Sequence, residues 1–312
     1  MLAGLEEPTH GDIFIKGKRI NDTPIHKRNL GIIFQNYALF PHKTIFDNVA
    51  FGLKYRSASK AIMKEKVEKA LETVRLPGVG DRMPSQLSGG QQQRIALARA
   101  IVIEPDVLLM DEPLSALDEN LREDMRREID NLQQDLGVTT IFVTHDQREA
   151  LSMSDKVVVM KDGFIQQEGD PEEVYNNSIN HFVADFLGHS NFLNAIVNEK
   201  QGDYLSVTLD DNTTCLAVPA EIFNKGDKVE MVIRAQKCHL GYKADHVPEQ
   251  GMNVFFGKVK DRSYMGGEVS YFIELENKLV LHAINFVKRS PYRRGDEVFV
   301  KVDPEHCRLL KG

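Results

Sequence analysis

The apolar positions of this chain change rhythm along its length. Up to about Leu187, short apolar runs alternate with segments whose apolar residues fall three and four apart, the mark of an α/β domain. Within residues 59–75, Val67, Ala70, Leu71 and Val74 carry that helical spacing. Val107-Leu108-Leu109-Met110, just after Pro105, is continuous and predicts a strand buried on both faces. Leu121, Met125, Ile129, Leu132 and Leu136 form a helical stripe that Gly137 terminates. Runs at 138–144 and 156–160 predict two further buried strands. Residues 11–20 predict a hairpin turning at Lys16-Gly17, and Asp162-Gly163 is the strongest short hairpin signal in the chain.

After Gly188 the period becomes two. Strands are predicted at 204–209, 228–234, 254–260, 269–274, 279–283 and 297–302; in the last, Val298, Val300 and Val302 share one face. Several short strands separated by turn residues predict a small barrel or sandwich of the OB type. Two domains follow, 1–187 and 188–312.

Composition narrows the class. At 312 residues, 42% hydrophobic and 27% charged, the chain reads as a soluble globular protein with room for two cores. No apolar run approaches the roughly 18 residues that span a bilayer, and the opening residues carry no secretion signal. A net charge of −7 argues against a dedicated nucleic-acid binder. Cys215, Cys238 and Cys307 are far apart and odd in number, which predicts reduced thiols of a cytosolic protein rather than a disulfide or metal framework.

The chemistry concentrates in a few stretches. Leu87-Ser88-Gly89-Gly90-Gln91 opens a helical run, placing bare backbone N–H groups and the positive end of a helix dipole at one tip. That is an anion site suited to phosphate, although a glycine-rich helix start alone is often without a ligand. Five specified residues arise by chance on the order of once in ten thousand chains of this length. The pentapeptide is the signature sequence of ABC ATPases, and the remaining motifs follow that family in order. Val107 to Met110 leading into Asp111-Glu112-Pro113 resembles its second nucleotide motif, and the resemblance assigns Asp111 to Mg²⁺ and Glu112 to polarising the attacking water. Gln35, before Asn36 to His42, matches the lid glutamine that contacts the metal and the water and senses the membrane subunit. Ser115-Ala116-Leu117-Asp118 matches the loop along the dimer seam, and His145, in Val143 to Asp146, matches the switch histidine at the γ-phosphate.

The resemblance implies a P-loop NTPase-like ABC nucleotide-binding domain followed by an all-β regulatory domain. It implies ATP and Mg²⁺ as ligands, with transmembrane permease subunits and a second nucleotide-binding subunit as partners. The implied location is the cytoplasmic face of the cell membrane, held peripherally, with a periplasmic or lipoprotein substrate-binding protein as an indirect partner and no nucleic acid. In such a dimer the signature of one subunit acts on ATP held by the other.

The family's phosphate loop, G-x-x-x-x-G-K-[ST], is not among the 312 residues: Gly17-Lys18 lies in a hairpin and Gly257-Lys258 among the later strands. Met1 to Pro8 resembles the end of the helix that follows such a loop, so the first strands and the loop are expected to precede Met1. A wrong start, a broken gene and a split subunit are the alternatives, and this polypeptide alone is expected to be poorly soluble and to hydrolyse ATP at background rate. Phe40-Pro41-His42, Phe182 to Gly188 and Asn191 to Asn194 most resemble the spermidine/putrescine importer group. Ferric-iron, phosphonate and sugar importers are the alternative cargoes, and a non-hydrolysing regulator is the alternative of another class. Arg234-Ala235-Gln236 departs from the family's Arg-Pro-Glu.

Overall fold

Lys16 and Gly17 both take positive φ (48° and 74°) and close β1 (Phe14–Ile15) onto β2 (Lys18–Arg19), the hairpin that their dipeptide predicts. In this computed structural model, which describes residues 1–56, 58–115, 117–287 and 290–312, the chain forms two units, Met1–Ser154 and Asp155–Gly312. Residues 1–8 form turns, not the helix end expected for them. Gly4, at φ 81°, departs from any helical course, and Arg28 holds the segment by donating to the carbonyls of Met1 and Leu2.

The first unit continues with β3 (Leu30–Ile33), α1 (Ile45–Val49), α2 (Phe51–Lys54), α3 (Lys60–Thr73), α4 (Gly89–Ile101), β4 (Val107–Asp111), α5 (Glu119–Leu136), β5 (Thr139–Val143) and α6 (Gln147–Met153). The strands form a parallel sheet in the order β3-β4-β5, with Ile33 beside Met110 and Asp111 beside Val143. A Cβ on Gly31 would sit 2.7 Å from the carbonyl oxygen of Ala100, so glycine is what lets α4 lie this close to the sheet. On that face Ile33, Leu108 and Met110 join Ile95, Leu97, Met125 and Ile129 in one core. Ser59 caps α3, and Val67, Ala70 and Leu71 are buried as their spacing requires. Gly137, at φ 58°, ends α5 in the left-handed conformation.

β4 takes the central position, with Val107, Leu108 and Met110 buried and Leu109 half-buried. The run at 138–144 is not the doubly buried strand it predicted. β5 is an edge strand, and Ile141 and Val143, on the face opposite α4, are 44% and 52% exposed.

The second unit opens with β6 (Val157–Lys161) and β7 (Phe164–Gly169), turned at Asp162-Gly163 with φ values of 52° and 81°. The 156–160 run also falls short of double burial. Its hairpin has one covered face: Val157 and Val159 pack against Val174 of α7 (Pro171–Asn176) and Val183 of α8 (His181–Phe186), while Val158 and Met160 are exposed.

Then come β8 (Ser190–Gln201), β9 (Tyr204–Leu209), β10 (Thr214–Pro219), β11 (Lys228–Arg234), β12 (His239–Tyr242), β13 (Asn253–Tyr264), β14 (Glu268–Leu275), β15 (Val280–Phe286), β16 (Glu297–Val302) and β17 (Cys307–Lys311). A closed barrel runs β10-β17-β11-β8-β9, and a five-stranded sheet runs β12-β16-β13-β14-β15. All six strands expected beyond Gly188 are present, and Cys215, Cys238 and Cys307 are buried and free. Among the described residues no helix is long and apolar enough to cross a membrane.

Candidate functional site

β4 ends in two carboxylates with different geometry. Asp111 closes the strand and is exposed. Glu112 follows at φ 43°, a left-handed conformation that takes its side chain out of the strand's alternation. That conformation is held by the Glu112 N–H donating to Val143 at 2.9 Å and by the Ser115 hydroxyl donating to the Glu112 carbonyl at 2.9 Å.

Three residues distant in sequence meet there. Gln35 Nε2 donates to Glu112 Oε2 at 2.9 Å, and His145 Nδ1 lies 3.2 Å from Glu112 Oε1. Each follows the carboxyl end of one strand of the parallel sheet (β3, β4 or β5), the edge where α/β folds bind ligands. The Glu112 side chain is 30% accessible and that of His145 71%, so water reaches both. The turn under His145 is fixed from behind. Thr144 Oγ1 donates to the buried Glu149 at 2.6 Å and accepts from the Asp146 N–H at 2.9 Å, and Arg122 lies 3.6 Å from Asp146.

The loop carrying Gln35 has its own supports. Tyr37 and Ala38 are consecutive non-glycine residues at φ 60° and 45°, a conformation that costs about 1–3 kcal/mol each unless neighbours impose it. Arg99 of α4 donates to both of their carbonyls at 2.7 Å. Burial lowers the basicity of this guanidinium. Asn48, fully buried on α1, accepts from the Phe40 N–H at 2.7 Å, and its amide nitrogen reaches the carbonyls of Phe40, Lys43 and Thr44. Sequence reading missed Arg99, Asn48 and Glu149; Arg99 and Asn48 are polar residues within largely apolar helical runs, whereas Glu149 follows polar neighbours and carries no such signal.

The signature segment lies at the start of α4. Leu87 is buried. The Ser88 hydroxyl accepts from the Gln91 N–H at 3.4 Å while the Gln91 side chain accepts from the Ser88 N–H at 3.0 Å, a reciprocal cap. The amides of Gly89 and Gly90 belong to the first turn and have no intrahelical acceptor. Gly89 is open to space, whereas a Cβ on Gly90 would stand 3.2 Å from Leu121 of α5. Arg94 ties α4 to α5 through Glu128 at 2.6 Å. One rigid helix therefore joins the Ser88 tip to the Arg99 clamp, a span of about 16 Å at the helical rise. Asp118 caps α5 by accepting from the Leu121 N–H at 3.0 Å, and Ala116 of the expected seam loop lies outside the described residues.

Gln35, Glu112 and His145 thus converge, Asp111 precedes Glu112 at the strand end, and Leu87 to Gln91 form a separate tip. Comparison with known proteins identifies the family. The sequence matches the ABC transporter family over residues 1–115 and the TOBE domain over 231–310. It is 41% identical over 316 aligned positions to the spermidine/putrescine import ATP-binding protein PotA of Rubrobacter xylanophilus, covering all of this chain and 82% of that protein. The protein of the same name from Thermotoga maritima is 41% identical, with 100% and 86% covered, and that from Hahella chejuensis 44%, with 92% and 78% covered. Among solved structures, CbiO1 from Clostridium perfringens, part of the ABC transporter complex CbiONQ, is similar at a TM-score of 0.52 and 31% identity, covering 56% of this chain and 71% of that one. The chain belongs to the family of ABC transporter ATP-binding subunits.

Proposed function

We propose that this subunit hydrolyses ATP to energise an importer of polyamines of the spermidine/putrescine type. The convergence of Gln35 and His145 on Glu112 is the single observation that carries the hydrolytic part. The cargo rests on the names of relatives that align with the whole chain.

Glu112 is the general base, positioned to accept a proton from the attacking water. Gln35 restrains one oxygen of that carboxylate and His145 stands by the other, so the two hold it in one orientation. The donor set suits a hard cation: Asp111 would hold it through a carboxylate and Gln35 through an amide oxygen. Mg²⁺, when bound with ATP, neutralises charge that develops on the phosphates. Leu87, Ser88, Gly89, Gly90 and Gln91 present the open first turn of α4 to nucleotide held by a second nucleotide-binding subunit, with Asp118 beside the seam. Gln35, tied through its loop and Arg99 to α4, is the relay between the nucleotide and the permease. In this reading the chain works at the cytoplasmic face, bound to permease subunits that receive cargo from a substrate-binding protein, and the functional division falls at 187/188.

Reconstitution with the permease in proteoliposomes, with the phosphate loop that these 312 residues lack joined to them, tests the proposal. ATP-driven uptake of labelled spermidine or putrescine, lost with Glu112→Gln, is the expected result. Uptake of ferric iron, a phosphonate or a sugar in place of polyamine overturns the cargo, and unchanged uptake by Glu112→Gln overturns the base.

A further inference from the structure

A cavity of about 270 Å³ in the second unit is lined by Arg234, Lys237, Glu305, His306 and Arg308. Arg234 is 7% exposed and meets only neutral acceptors: the carbonyls of Ala184, Gly188 and Tyr175 and the hydroxyls of Ser178 and Ser190. Its guanidinium also stacks on the Tyr175 ring at 4.3 Å. Arg308 donates to the Ser178 carbonyl at 3.2 Å and to Asn177 Oδ1 at 2.9 Å. Among the described residues, none of Arg234, Lys237 and Arg308 has a carboxylate within 4.0 Å.

This is an unusual charge arrangement. Burial lowers the basicity of Arg234 and of Arg308, and burial followed by repulsion from Lys237 holds His306 below the ordinary imidazole value. The nearby carboxylates do not offset the cations at contact: Glu305 receives the Tyr204 hydroxyl at 3.5 Å, and Asp303 caps the turn at Pro304–His306. Asp185, Asp303 and Glu305 supply negative charge nearby, but none of them contacts Arg234, Lys237 or Arg308, so the three cations face the cavity without a carboxylate partner at contact distance. The volume is below the roughly 300–1,000 Å³ of drug-sized pockets, which admits a compact ligand and excludes a polymer.

We propose that this cavity binds a small anion of the phosphate class, free or as a monoester, held by Lys237 and Arg308, with Arg234 contributing its charge. Among the described residues the Nη2 group of Arg308 makes no bond to the protein and is free to donate to oxyanion oxygens, whereas both terminal nitrogens of Arg234 are already engaged. Arg234 and Arg308 already grip residues 175–178, so an anion between them fastens that segment to β11 and β17.

The test uses the full chain, titrated with inorganic phosphate and with glycerol 3-phosphate, and follows thermal midpoint and the His306 side-chain NMR signal. Saturable binding with Kd on the order of 0.1–1 mM is expected, with a shifted His306 resonance and a raised midpoint. Lys237→Gln and Arg308→Gln each weaken binding about tenfold, the effect of losing one charge-assisted bond. Lys237 is only half-buried, so its variant keeps the fold if Arg308→Gln does not. Tighter binding of glycerol 3-phosphate identifies an ester ligand, and equal or weaker binding identifies phosphate itself. Absence of binding by both probes, binding unaffected by Lys237→Gln, or displacement by ATP each overturns the proposal.

Discussion

Gln35 donates to the carboxylate of Glu112 at 2.9 Å across 77 positions of sequence. Neither side chain is placed by its own element alone. The loop after β3 is pinned by Arg99 and the turn after β4 by Val143 and Ser115, and the parallel sheet brings the two together. This contact fixes the orientation of the carboxylate proposed as the base.

Replacing that base separates binding from chemistry. Glu112→Gln keeps the shape of the site and lowers turnover by about 10²–10⁴-fold, the usual contribution of a positioned general base. Nucleotide affinity stays within about twofold, since an interaction made only in the transition state is the one removed. Single-turnover hydrolysis and nucleotide titration on the transporter-assembled subunit, joined to the phosphate loop absent from these 312 residues, measure the two separately.

Arg99→Met leaves the Tyr37 and Ala38 carbonyls without donors beneath a strained turn. The expected loss is about 1–2 kcal/mol of stability in the first unit, chiefly from the part-buried Tyr37 carbonyl, since the exposed Ala38 carbonyl can take water instead. Arg99→Lys recovers less than half of it, because one ammonium does not reproduce a two-pronged fork. Urea unfolding reads this directly, and an unchanged midpoint would contradict the clamp.

Ser88 has a structural duty that must be separated from any role at phosphate. Ser88→Ala loses the cap and about 1 kcal/mol of stability. Ser88→Asp caps equally well and keeps the midpoint, yet puts a negative charge where the proposed anion site lies. Turnover that falls with Ser88→Asp at unchanged stability supports the phosphate role, and unchanged turnover removes it.

The second unit should lose stability in mild acid. His282 is held below the ordinary imidazole value, first by burial and then by His189, whose ring lies 5.0 Å away. The unfolded chain therefore takes up this proton at a higher pH than the folded one. Its contribution is present above the unfolded value of about 6.5 and is lost as pH falls below it toward the folded value. His306 is lowered in the same direction but is exposed, so solvent screening makes its share smaller. Thermal midpoints across mildly acidic to neutral pH, with a shallower fall in His282→Gln, check the sign. A midpoint that rises on acidification would refute it.

The sequence by itself determined where helices and strands begin, because capping and turn residues act locally. Ser59, Ser88 and Gly137 mark helix ends by satisfying or redirecting backbone groups a few residues away, and Asp162-Gly163 closes its hairpin without outside help. It also carried Gln35, Asp111, Glu112 and His145 as ordered motifs, but not their contact. Burial was only partly legible: apolar runs at 138–144 and 156–160 predicted strands covered on both faces, whereas Val143 and Val158 stand exposed. A run records what a strand tolerates, and the neighbours that cover it come from elsewhere in the chain. Arg99 beneath the Gln35 loop and Arg234 among five neutral acceptors were decided by tertiary structure alone. The physical reason is the same for both: a buried guanidinium is stable only where the fold gathers carbonyl and hydroxyl oxygens around it, and those oxygens have no sequence signature.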